Sequence, residues 1–70
     1  MIRRTRAKKE LEDLLLSLHS VRMQLQKRRG ATDALGIERI ERAQRILYAQ
    51  IRDHCTRNGL RRPADVPESD

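Results

Sequence analysis

His54 and Cys55 are adjacent, the one place where a base and a soft nucleophile neighbour each other. Consecutive helical residues point about 100° apart, so the two side chains do not face each other. No orienting acid or oxyanion-stabilising group accompanies them. Cys55 therefore reads as a small buried apolar residue. His19 and His54 meet across a hairpin only if their heights match, and two histidines alone leave a metal short of ligands. Glu10, Glu12, Asp13, Glu38 and Glu41 sit near helix starts and read as solvated charges that suit the helix dipole. There is no glycine-rich phosphate loop. No catalytic residue, metal site or cofactor is expected, which leaves binding as the function class.

The elements that carry these residues are two helices. Leu11, Leu14, Leu15, Leu18, Val21 and Leu25 recur at spacings of three and four and mark one face of a helix over about 6–29. Leu11, Leu18 and Leu25 share one heptad register, Leu14 and Val21 the other. Lys27, Arg28 and Arg29 complement the dipole in the last turn, and Gly30 stops the helix. The basic first turn opposes the dipole, so residues 1–7 are expected to be mobile or ordered by a partner. A linker, GATDALG over 30–36, follows. The second helix is expected over about 33–58, capped by Thr32 or Asp33, its start slipping to 37 if Gly36 is too costly. Its seam is Ile40, Leu47 and Ile51, extended by Ile37, Gln44 and His54. Gly59 followed by Leu60 predicts a Schellman-type ending. The tail RRPADVPESD, with two prolines and no apolar periodicity, is expected to be disordered. The expectation is an all-α, antiparallel, coiled-coil-like two-helix hairpin in one domain, 1–70, with a disordered basic N-terminus and C-terminal tail.

Seventy residues make a small core that is marginal alone. With a single cysteine there is no internal disulfide, so a partner chain is the economical source of further stability. The net charge is +6, and Arg3, Arg4, Arg6, Lys8 and Lys9 all precede the first acid, Glu10. Such an arm suits an acidic surface or nucleic acid, or serves as a solubilising terminus. No apolar run approaches the roughly 20 residues needed to span a membrane. No export-signal h-region follows the basic start, so a cytoplasmic location is expected.

A two-helix hairpin has more apolar surface than its seam hides. Leu16, His19 and Met23 form a stripe away from the Leu11–Leu25 seam. Ile46, flanked by Ala43 and Ala49, lies opposite the start of its own seam, and Tyr48 borders that seam. Leu16, His19, Met23, Ala43, Ile46 and Tyr48 are therefore the expected partner-binding residues. Such apolar patches mark interaction sites, each anchor worth about 1.5–3 kcal/mol when buried.

Two resemblances bear on the partner. ATDALGIERIERAQRIL resembles a helix-turn-helix with Gly36 at the turn, but Arg42 and Arg45 stand where that fold needs apolar residues, and a third helix is lacking. LEDLLLSLHSVRMQL (11–25) followed by IERIERAQRILYAQIRDHC (37–55) is similar to the small E-type co-chaperones of type III secretion, the YscE group. The shared features are the LEDLLL opening and the run Ile40-Glu41-Arg42-Ala43-Gln44-Arg45-Ile46; the Arg-rich start departs from them. The resemblance implies a helical hairpin that binds a tetratricopeptide-like chaperone and, through it, keeps a needle subunit from polymerising before export. It implies no catalytic residues. Self-association is expected when the partner is absent. The alternative is a homodimeric four-helix bundle of Rop-like architecture that binds RNA through its basic faces. A third reading is a small inhibitor docking on a larger enzyme.

Overall fold

The computed structural model describes residues 2–28, 30 and 34–69, with side chains from Thr5 onward. It consists of two long helices, α1 (Ile2–Arg28) and α2 (Ala34–Asn58), with no strand among the described residues. They run antiparallel: His54, near the end of α2, meets Ala7 near the start of α1, and Arg22 meets Tyr48. The radius of gyration is 13.8 Å, against about 11 Å for a compact chain of this length. The molecule is a rod 48 Å long, so its core is narrow.

The seam residues do what their spacing predicts. Leu18 and Ile51 are fully buried, and Leu11, Leu14 and Leu47 pack against them. Val21, Leu25 and Ile40 are half-buried farther toward the connection. Cys55 is buried, as its reading as an apolar residue required. The end of α2 is the Schellman turn. Gly59 adopts φ +63°, and the Leu60 amide donates to the Cys55 carbonyl at 2.8 Å. Leu60 then packs on the cluster that includes Cys55, completing the motif's apolar contact.

Two expectations about the chain's ends are corrected. α1 begins at Ile2, not near residue 6, so residues 2–7 are helical. The basic first turn is outweighed by tertiary contact: Ala7 is buried, and its carbonyl accepts a 2.7 Å hydrogen bond from His54 Nε2. α2, expected over about 33–58, runs from Ala34 to Asn58 and passes through Gly36 without slipping to 37. The proposed caps Thr32 and Asp33, together with Arg29 and the side chains of Arg3 and Arg4, lie outside the described residues.

The second correction is the larger. The tail is ordered against the hairpin. Val66 is 0% exposed and belongs to the same core cluster as Leu18, Ile51 and Cys55. A turn closed by Val66 N–H to the Pro63 carbonyl, 3.1 Å, points that side chain inward. Arginines fasten the backbone around it: Arg52 donates to the Pro67 carbonyl at 3.2 Å, and Arg62 to the carbonyls of Pro63 and Val66. The composition that suggested disorder is overridden by one aliphatic plug and donors from both helices.

Candidate protein-docking surfaces

The tail divides the hairpin into two unlike flanks. On the closed flank, Arg22 of α1 is the organising residue. Its guanidinium donates to Asp65 Oδ2 at 2.6 Å, to the Asp65 carbonyl at 3.2 Å and to the Tyr48 hydroxyl at 3.1 Å. It also lies 5.7 Å from the centroid of the Tyr48 ring, within cation–π reach. Gln44 donates to the same hydroxyl at 2.9 Å. The Arg22 guanidinium is held even more firmly protonated, first by its bond to Tyr48 and then by Asp65. The bond from Arg22 holds the Asp65 carboxyl below the usual carboxylate range.

A lowered carboxyl pKa has a defined sign. The ion pair contributes above the unfolded value, near pH 4, and is lost as pH falls through the lower folded value. We expect the Val66 methyl resonances to move toward random-coil positions only below about pH 4, and in Asp65→Asn at every pH. Resonances unmoved down to the acid limit in both proteins would show that Val66 alone holds the tail.

Tyr48, expected to border the α2 seam and to bind a partner, lies at the edge of that seam. It is half-buried, packs on the core, and spends its hydroxyl on Arg22 and Gln44. A half-buried phenol needs such partners, which draws the ring toward the tail side. His54 and Cys55 diverge: His54 turns to the Ala7 carbonyl, while the Cys55 thiol points at the Arg61 carbonyl, 3.8 Å away. Asn58 sits 3.4 Å from the other ring nitrogen of His54. Burial pushes the Cys55 thiol up, so it is a poor nucleophile while the tail is in place. Among the described residues no three His, Cys, Asp or Glu side chains gather to hold a metal.

Of the remaining expected site residues, all but Ala43 stay in water. Leu16 is 68% exposed, Met23 44% and Ile46 52%. His19 is exposed beside Leu16 and Met23, and Ala43 is half-buried. The sequence reading missed Leu35, also 68% exposed, because it placed that residue in the linker. With α2 starting at Ala34, Leu35 lies eleven residues before Ile46 and shares its face.

At 100° per residue, Leu16 and Met23 stand about 140–160° round α1 from buried Leu18. Leu35 and Ile46 stand about 140–160° round α2 from buried Ile51. The four exposed side chains therefore form two stripes on opposite outer edges of the rod. Charges around them belong to solvated surface, such as Arg42 with Glu38 at 3.9 Å and Arg57 with Asp53 at 3.0 Å. Neither helix is long and apolar enough to cross a membrane. No family model matches this chain, and neither the curated proteins nor the solved structures contain a match to it.

Proposed function

We propose that this chain is a non-enzymatic binding partner of a larger helical-repeat protein, which grips the rod by its two outer edges. The carrying observation is that Leu16, Met23, Leu35 and Ile46 remain exposed in a chain that folds its own tail inward to cover one flank. A flat partner meets one edge only. A concave repeat surface reaches both. Four anchors at about 1.5–3 kcal/mol each are enough for a stable complex after the costs of association.

The resemblance to the E-type co-chaperones gives this reading its specific form. The partner is then a tetratricopeptide-like chaperone, and the pair keeps a needle subunit soluble in the cytoplasm before export. Binding only the folded state stabilises both chains by mass action. The RNA-binding alternative keeps Arg39, Arg42 and Arg45 exposed on α2, while Arg52, the fourth basic residue of that side, donates to the tail at the Pro67 carbonyl.

The test is recovery of the tagged chain from the cells that produce it, with identification of whatever accompanies it. A helical-repeat protein in fixed ratio is the expected companion. Nucleic acid lost on raising salt would instead support the RNA reading.

A further inference from the structure

The tail is held as a docked peptide is held, by side chains rather than by shared backbone structure. No backbone amide of residues 61–69 donates to a helix carbonyl among the described residues. The bonds from the helices run one way, from helix donor to tail acceptor. Arg22 donates to the Asp65 carboxylate and carbonyl, and Arg52 to the Pro67 carbonyl at 3.2 Å. The Cys55 thiol points at the Arg61 carbonyl. Between the two arginine contacts in sequence, Val66 fills a socket of Leu18, Ile51 and Cys55. The groove therefore specifies an acidic residue, then a small branched aliphatic one, then a free carbonyl. Pro63 and Pro67 suit such a groove, because they bring carbonyls and no N–H that needs a partner. Arg62 donates to the carbonyls of Pro63 and Val66, so the segment carries part of its own turn.

We propose that this groove is a docking site for a proline-flanked acid–aliphatic segment of another protein, with the chain's own tail as the competing occupant. Two observations favour exchange over a permanent seal. The first is how little holds the tail. Val66 is the one buried residue in 61–69, and the Arg22–Asp65 pair stands partly in water, its side chains 35% and 60% exposed. Burial of a single side chain of this size leaves the tail open in roughly 1–10% of molecules. A visiting segment then meets an open groove without first unfolding the helices.

The second is unfilled space. A cavity of about 490 Å³ opens beside the docked tail, with Ala49, Cys55 and Leu60 in its lining. Arg62 and Glu68 of the tail border it but do not fill it. A segment with one further apolar side chain covers Ala49 and Leu60 as well, and so binds the groove better than the tail does. This site lies on the flank between the outer stripes and does not depend on the proposed function.

The experiment follows the methyl resonances of the isotope-labelled full chain while an unlabelled, end-blocked peptide, RRPADVPESD, is added. The tethered tail competes at an effective concentration in the millimolar range, so the titration runs through that range. The Val66 methyls are expected to move toward random-coil positions as peptide rises, with Val21 as the internal reference. Leu18 and Ile51 should keep their buried positions, because the peptide's valine takes the socket. A peptide carrying Asp65→Asn should need about tenfold more to reach the same release. One carrying Val66→Asp should release nothing. A Val66 signal unmoved by the unaltered peptide overturns the proposal. So does loss of the buried Leu18 and Ile51 positions together with Val66, or equal release by the Val66→Asp peptide. Light scattering on the peptide-free chain should give 8.2 kDa; twice that mass would make a second copy's tail the occupant and overturn the reading.

Discussion

Leu18→Ala is expected to lose about 2–5 kcal/mol of folding stability. Leu18 is 1% exposed and lies where α1, α2 and the tail converge on Ile51, Cys55 and Val66. A rod this thin has no second layer to collapse into the space left behind. Seventy residues typically hold roughly 4–10 kcal/mol in total, so the loss is a large fraction of the whole. By circular dichroism the thermal midpoint should fall by about 10 °C or more. Leu16→Ala removes the same atoms from an exposed site and should change stability by about 0.5 kcal/mol or less. Equal melting of the two variants would contradict the placement of the core.

Val66→Asp is expected to release the tail while leaving both helices in place. The change puts a carboxylate where the side chain is fully enclosed, with no partner arranged for it. It also removes a burial worth about 1.5–3 kcal/mol, the main apolar contact of the tail beyond Leu60. The readout is Cys55. With the tail in place the thiol is 2% exposed, and burial raises its pKa. With the tail gone, access increases and the pKa falls back, so both changes speed alkylation at neutral pH. A gain of about 10–150-fold in labelling rate follows from the burial energy alone. Far-ultraviolet circular dichroism should be nearly unchanged. An unchanged labelling rate would mean that something other than Val66 shields the thiol.

The tail also shows where sequence reasoning loses its grip. The seam was legible because Leu11, Leu14, Leu18, Leu47 and Ile51 repeat with the helical period, which any amphipathic pair must follow. The Gly59–Leu60 ending was legible because a positive φ and a local 2.8 Å hydrogen bond are encoded within six residues. Docking of Val66 is not local. It depends on Arg22, more than forty residues earlier, and on Arg52 across the turn. A lone valine between prolines has no period to reveal it. The Arg22–Tyr48 hydrogen bond was hidden for the same reason, since the two residues lie on different helices. The N-terminal turns were misjudged because dipole arguments do not know that His54 waits for the Ala7 carbonyl.

Of the outer site, Leu16, His19, Met23 and Ile46 were legible as residues the seam could not cover, and the structure leaves them exposed. Leu35 was passed over because it was counted with the linker, 30–36, although the helix expected from about 33 includes it. Restoring it pairs it with Ile46 and makes the α2 stripe comparable to Leu16 and Met23 on α1.

The most direct test of edge-on binding is a titration of the helical-repeat partner with two proteins of equal helicity, the unaltered chain and its Leu16→Asp/Ile46→Asp variant. Both substitutions lie on exposed positions away from the core, so folding should be retained. Each removes one anchor, and together they should weaken binding by about a hundredfold or more. Undiminished affinity in the double variant would contradict the account.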